Sequence, residues 1–246
     1  MQAPKIAIIG SGSAGLMAAD ILSPNFEVNI YEKGKTSGRK FLVAGNGGFN
    51  LTNSAVGPAL YNQYSDNEIL QKALADFDST STRNWLAEIG VPTFVGSSGR
   101  VFPQKGIKPI HVLQNIKDRL ANKNVTFHYL HEFVGFNETQ QPIVNYKGEK
   151  FPVVADYFVF ALGGASWSVT GSNTQWVSAF KDIGIKTVPF EPSNCGVNVE
   201  WPEDFKKNYA GMHLKNIKIS IGSKVIKGEA LLTDYGLEGN AIYPII

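Results

Sequence analysis

The chain has 246 residues, 43% of them hydrophobic and 18% charged, which is ordinary globular composition with room for one large domain or a domain plus an insert. Its 23 basic and 21 acidic residues leave a formal net charge of +2, with no like-charge block longer than Lys206-Lys207, so neither a nucleic acid nor a membrane surface is demanded as a partner. A single cysteine, Cys195, excludes an internal disulfide framework and argues against a cysteine-based metal cluster, and no apolar run of about 18 residues predicts a spanning helix.

In chain order, residues 5–9 read as a buried strand, 13–22 as a helix and 27–31 as a second strand, with a turn at Ser23-Pro24-Asn25. A secretory signal does not fit this opening, because Gly10, Gly12 and Gly15 interrupt what should be a continuous apolar helix, and a cytoplasmic protein is expected. Residues 34–58 are rich in Gly, Asn, Ser and Thr and read as a long structured loop of the kind that carries function. Helices are predicted at 67–76 and 79–89, the second capped near Asp78, and residues 92–104 form a hairpin turning on Gly96 to Gly99. A helix over 109–121 places Ile110, Val112, Leu113, Ile116 and Leu120 on its apolar side.

One or two strands follow at 125–136, then a hairpin around Lys147-Gly148, a buried strand "YFVFAL" at 157–162 running into Gly163-Gly164, and a helix at 174–182. From residue 187 the texture is β, in "CGVNVEW", "NIKISIG" and "KVIKGEALL", with a boundary near 187–192. The chain stops at the apolar "AIYPII", which reads as the interior of an element and suggests a piece of a longer protein.

Gly10-x-Gly12-x-x-Gly15 lies between the first strand and the first helix. Gly10 permits the tight turn, Gly12 lets a backbone approach a pyrophosphate, and Gly15 lets helix and strand pack closely. Alone the motif is weak. Glu32 strengthens it: it ends the second strand 17 residues after Gly15, where a carboxylate accepts both ribose hydroxyls of an adenosine and disfavours a 2′-phosphate. That argues for FAD or NAD over NADP. A Rossmann NAD enzyme continues with another ordinary crossover, whereas here Lys33 and Gly38-Arg39-Lys40 lead into "FLVAGNGGFNLTN". The basic triplet suits a pyrophosphate, and the glycine- and asparagine-rich segment suits a flat polar ring such as a flavin.

With "GSGSAGLMAA", "YEKGKTSGRKFLVAGNGGFNLTNS", "SSGRVFP", "ALGGASWSVTGSNTQW" and "PSNCGV", the chain resembles the HI0933-like flavoprotein family over nearly its whole length. The resemblance implies an α/β fold: a Rossmann-like FAD-binding domain of the two-dinucleotide-binding-domain flavoprotein type, with the start of a β-rich inserted domain. The FAD-binding part would cover residues 1–188, with a helical subregion at about 66–121, and the insert 189–246. It also implies that Gly10, Ser11, Gly12, Ser13, Ala14 and Gly15 cradle the FAD pyrophosphate and that Glu32, with Lys33 beside it, holds the ribose. Gly38, Arg39 and Lys40 would lie along the diphosphate and ribityl chain, and Asn46, Gly47, Asn50, Leu51 and Thr52 would approach the isoalloxazine. Val134 would meet the adenine through its backbone, and Ala161, Leu162 and Gly163 would close over the cofactor.

This chain departs from the family in carrying Gly48-Phe49 where many members have Arg-Cys, and Thr174-Gln175-Trp176 where many have Gly-Asp-Gly. Members also continue into a C-terminal segment that returns to the first domain. The expected activity is hydride or electron transfer between FAD and an unidentified small organic molecule. NAD(P)H is a conceivable electron donor, although no second glycine fingerprint marks a site for it. The alternatives are a non-catalytic or truncated flavin-fold binding module and an NAD-binding dehydrogenase.

No catalytic residue stands out. His111, His128, His131 and His213 lack metal spacing, and the three-residue step from His128 to His131 within a strand would put them on opposite faces. Cys195 reads as a packed thiol, and Trp167 and Trp176 as packing residues, with a wall beside the flavin as the alternative. Arg100 reads as a hairpin or interdomain ion pair, with a substrate-facing role as the alternative.

Overall fold

The computed structural model describes residues 3–43, 49–166, 168–192 and 194–245. The chain divides into two compact units, Met1–Thr187 and Val188–Ile246.

The first unit begins with β1 (Lys5–Ile9), α1 (Ser13–Leu22), β2 (Glu27–Glu32), the short α2 (Arg39–Val43), β3 (Thr52–Asn53) and α3 (Pro58–Tyr61). It continues with α4 (Glu68–Asp76), α5 (Ser79–Glu88), β4 (Thr93–Val95), β5 (Arg100–Pro103), α6 (Pro109–Ala121) and β6 (Val125–Tyr129). The strands β7 (His131–Phe136), β8 (Pro142–Tyr146), β9 (Glu149–Pro152) and β10 (Tyr157–Phe160) follow, then a 3-10 turn at Ser168–Thr170 and α7 (Gln175–Asp182).

Strands β10, β1, β2 and β6 make a parallel sheet in that order, the arrangement of a Rossmann-like α/β domain. Strand β1 is buried on both faces, which is why it reads as a continuous apolar run. Its side chains alternate all the same. Ile6 and Ile8 join a core with Leu16 of α1, Leu86 of α5 and Val112, Leu113, Ile116 and Leu120 of α6. Ala7, on the opposite face, packs with Val144 and Val153, so the antiparallel sheet β7-β8-β9 covers that side. Each fully buried aliphatic chain contributes about 1.5–3 kcal/mol.

Local chemistry explains the element ends. Asn67 caps α4 by accepting from Leu70 N, and Asp78 caps α5 by accepting from Ser81 N. Lys147 (φ 53°) and Gly148 (φ 95°) are the two-residue turn between β8 and β9, with both central residues at positive φ as a type I′ hairpin requires.

Several expectations change, and the choice between one strand and two at 125–136 is settled. Ile110 is exposed rather than part of the apolar face of α6. Residues 125–136 are two strands in different sheets, because Leu130 takes a positive φ of 63° and turns the chain out of the parallel sheet. Strand β10 ends at Phe160 and is half-exposed, since it has only β1 as a sheet neighbour. The stretch 34–58 holds α2, β3 and the start of α3 rather than loop alone. Among the described residues, no helix is long and apolar enough to cross a membrane.

The second unit has β11 (Val197–Asn198), α8 (Glu203–Tyr209), β12 (His213–Ile221), β13 (Lys224–Leu232), β14 (Gly236–Glu238) and a closing 3-10 turn at Tyr243–Ile245. Its sheet is antiparallel, in the order β11-β14-β13-β12. Helix α8 was not anticipated by a purely β reading. Pro202 precedes it, Glu203 and Asp204 lie in its first turn, and Lys206 and Lys207 in its last, each sign where the helix dipole favours it.

Buried Asp20 joins α1 to two other helices. It accepts from Trp85 Nε1 of α5 at 2.8 Å and from Arg119 Nε of α6 at 2.8 and 3.0 Å, and it pairs with Lys123 Nζ just beyond α6. Burial pushes its carboxyl up, but the bonds from Lys123, Trp85 and Arg119 and the Lys123 charge outweigh that and hold it below the ordinary carboxylate value. A carboxylate held low contributes stability that is complete above its unfolded pKa, about 4, and is lost as pH falls through its folded one. Urea denaturation between pH 7 and pH 2 should therefore show a loss of stability beginning below about pH 4. Asp20→Asn should lower stability at pH 7 by about 3 kcal/mol, because Lys123 and Arg119 lose their buried partner, and should flatten that acid limb.

Candidate functional site

The site forms at the carboxyl ends of β1, β2 and β10. Strand β1 has β2 on one side and β10 on the other, so the connections leaving it diverge, and parallel sheets bind ligands in the crevice at such a point.

The three glycines of the first turn do different work. A Cβ on Gly10 (φ 104°) would fall within 3.0 Å of the Ala161 carbonyl oxygen, and one on Gly15 would fall inside the Gly10 carbonyl oxygen and lie 3.3 Å from Ala161 Cβ. These two positions need glycine because strand, helix and the end of β10 pack there without space for a side chain. Gly12 is the exception: nothing lies within 4 Å of the position its Cβ would take. It is also the N-cap of α1, has no side-chain cap bond, and precedes a first turn without an acid. The N–H groups of Ser13 and Ala14, with the positive end of the helix dipole, therefore face the open space.

Ser11 has a structural task that its place in the motif does not reveal. It is fully buried, and both its N–H (2.9 Å) and its Oγ (2.6 Å) donate to Glu32 Oε2, while its carbonyl accepts from Gly38 N at 3.0 Å. In this arrangement its polar groups are taken up by the protein, tying the glycine turn to β2 and to the segment before α2. Glu32 Oε1 accepts from Gly34 N at 2.7 Å. Three of the carboxylate's roughly four acceptor positions are thus taken, leaving one on Oε1. Glu32 can hold one ribose hydroxyl as it stands; holding both needs Ser11 Oγ to turn away.

Lys33, Arg39 and Lys40 gather beside this clasp. Among the described residues none forms an ion pair. A Cβ on Gly171 would meet Arg39 Nη1 at 3.5 Å and Lys33 Cε at 3.7 Å, and Lys40 Nζ donates to Ser166 Oγ (3.0 Å) and Ser172 Oγ (3.4 Å). Sequence reasoning assigned Ser166 and Ser172 no role. They lie more than 120 residues from Lys40, and no local pattern predicts that approach. Gly38, at φ 66°, has Leu113 against the position a Cβ would take, which fixes where α2 begins.

Ala161 continues β10 with a bond from its N–H to Ile9 O at 2.8 Å and packs on the glycine turn; Leu162 and Gly163 (φ 77°) follow and lead the chain away. In the β7–β8 ladder the register jumps from Phe133 to Gly135, so Val134 has no cross-strand partner and is 41% exposed. Asn46 and Gly47 lie outside the described residues, as does Trp167. Asn50, Leu51 and Thr52 line a cleft of about 530 Å³ with Asn53, Gln63 and Arg100. Arg100 makes no ion pair among the described residues, contrary to the structural role expected of it.

His128 and His131 come together rather than to opposite faces. Their rings are 5.6 Å apart, His128 stacks on Tyr31 at 4.6 Å and His131 on Tyr146 at 4.5 Å. The break at Leu130 is the cause. Burial, with His131 beside it, pushes His128 below the ordinary imidazole value.

The family model described as the HI0933-like protein Rossmann domain matches residues 4–229. The 3-dehydro-bile acid delta(4,6)-reductase of Clostridium scindens is 25% identical over 248 residues, covering 98% of this chain and 59% of that protein. The ribosomal RNA dihydrouridine synthase of Haemophilus influenzae is 24% identical over 240 residues, covering 97% of this chain and 60% of its own. The chain thus spans about six tenths of the length of the curated relatives it matches. Among solved structures, that of Thermovibrio ammonificans THI4 superposes with a TM-score of 0.50 at 19% identity, covering 74% of this chain and 64% of the other, which is a likeness of fold.

Gly12→Ala should leave the thermal midpoint within a few degrees of wild type, because the methyl enters open space, whereas Gly15→Ala should cost about 3 kcal/mol or more by forcing α1 off the strand. Circular dichroism melts of the two variants, run side by side, check this. Equal destabilisation would contradict the division of labour.

Proposed function

The chain belongs to the HI0933-like family, a family of FAD-dependent oxidoreductases, and from that membership we propose that it binds FAD along the carboxyl edge of its parallel sheet and transfers hydride or electrons between the flavin and a small organic substrate. FAD would supply the redox chemistry; the chain's residues bind and orient it. The observation that carries the reading is Gly12: an uncapped helix N-terminus over open space, next to the Ser11–Glu32 clasp, where Lys33, Arg39 and Lys40 form no ion pair among the described residues.

The donor set fits the cofactor. A pyrophosphate brings about two negative charges, against which stand Lys33, Arg39, Lys40 and the α1 dipole. Glu32 offers an acceptor to the adenosine ribose. Val134, skipped in its ladder, leaves backbone groups for an adenine edge. Asn50, Leu51 and Thr52, with Asn46 and Gly47 preceding them in the chain, would border the isoalloxazine. Residues 189–246 would belong to the family's inserted domain, and the antiparallel unit at Val188–Ile246 supports that assignment. A reductase among the relatives supports the reaction class.

The purified chain should be yellow, releasing flavin absorbance on denaturation, and FAD should raise its melting temperature where NAD does not. The double variant Arg39→Met/Lys40→Met should weaken FAD binding by about 10- to 100-fold, as expected for lost charge-assisted bonds, with the fold intact. A colourless protein that takes up no added FAD would overturn the proposal. Stabilisation by FAD without oxidation of NADH or NADPH would favour a flavin-binding module whose turnover uses other partners.

A further inference from the structure

The cleft of about 530 Å³ beside β3 and β5 has a wall that is already organised. Asn53 Oδ1 accepts from Ala55 N (2.9 Å) and Ser79 Oγ (3.3 Å), its Nδ2 donates to Gln63 Oε1 (3.1 Å), and Gln63 Nε2 donates to Ala59 O (2.8 Å). The strands beneath are tied by Leu51 N to Val101 O and Ser54 N to Gly99 O, both 2.8 Å. Against this background Arg100 stands out. It leaves β5 opposite Asn53, is half-buried, and has neither an ion pair nor a side-chain hydrogen bond among the described residues. Among the described residues, no Asp or Glu lines the cleft.

A half-buried guanidinium with five donors and no acceptor is poorly satisfied, and its planar fork matches a carboxylate through two parallel bonds. The lining carries one positive charge and otherwise only amides, hydroxyls and a few apolar groups, so one negative charge balances it; a phosphate dianion would leave charge uncompensated. We infer that this cleft binds the carboxylate of an organic acid, with Arg100 as its anchor. That the acid is the oxidoreductase's substrate rests on the flavin reading above, which puts the isoalloxazine against Asn50 and Thr52 on the same wall. The carboxylate would fix the position of the substrate, leaving the carbon to be oxidised or reduced to face the ring.

The test is a titration of the FAD-loaded full chain with benzoate, succinate, benzamide and inorganic phosphate, followed by calorimetry and by perturbation of the flavin spectrum. Benzoate or succinate should bind saturably and benzamide should not. Arg100→Gln should weaken carboxylate binding at least tenfold, and Arg100→Lys, which keeps the charge but loses the fork, by less. Both variants should retain FAD as wild type does. Absence of carboxylate binding, equal binding by Arg100→Gln, tighter binding of phosphate than of either carboxylate, or loss of FAD in parallel with loss of carboxylate would each overturn the inference. If the chain takes up no FAD, the flavin reading fails by itself; calorimetry on the FAD-free chain then decides the cleft, with Arg100-dependent carboxylate binding upholding it and its absence overturning it.

Discussion

The first unit depends on one close approach. Gly10, Gly15 and Ala161 meet so tightly that a single methyl group at either glycine would collide with backbone oxygen. This contact sets α1 directly over the end of β1 and brings β10 alongside. It also fixes where the N-terminus of α1 points, and hence where an anion can be received. Shape here precedes electrostatics: the helix dipole is useful only because the packing beneath it admits no side chain.

Electrostatics then organises the rim. Glu32 spends most of its hydrogen-bonding capacity on the protein itself, joining Ser11 and Gly34, so the carboxylate works first as a clasp between the glycine turn and the end of β2. The cations next to it are not neutralised by that carboxylate. A half-buried acid surrounded by backbone and hydroxyl donors, next to Lys33, Arg39 and Lys40, which form no ion pair among the described residues, leaves the crevice net positive while its one negative group is held in place. Asp20 does the reverse in the interior. There a carboxylate is matched by two cations and an indole, and the outcome is helix packing, not a site.

Family membership and geometry constrain different things. The HI0933-like match extends over nearly all of the chain and carries the cofactor class. The relatives are distant, at 24–25% identity, and this chain spans about six tenths of their length, so their substrates do not transfer with the fold. What distinguishes this chain must come from its own lining residues, and the cleft at Arg100 is where those residues differ in kind from the crevice at the glycine turn: one cation, several amides and hydroxyls, no helix end.

Strand β1, helix α1, the hairpin at Lys147-Gly148 and the capped starts of α4 and α5 were legible because each is set by local rules: apolar periodicity, glycine where φ is positive, a carboxylate or amide at the N-cap. The glycine turn followed by Glu32 was legible for the same reason, and so were the basic residues at 39 and 40. What the sequence could not determine depends on residues distant in the chain. Ser11 turned inward because Glu32 stood opposite, Ser166 and Ser172 reached Lys40, and Arg100 was left without an acid among the described residues in a cleft it shares with residues 50–55, Gln63 and Tyr64. His128 and His131 met because one residue, Leu130, adopted a left-handed conformation that β-periodicity does not anticipate. By itself the sequence determined the β1-α1-β2 order and the close-packed glycine turn between strand and helix, since both are written in spacings of a few residues. Only the tertiary structure decided which of those polar groups face each other and which face open space, because burial and charge pairing are properties of surfaces brought together from across the chain.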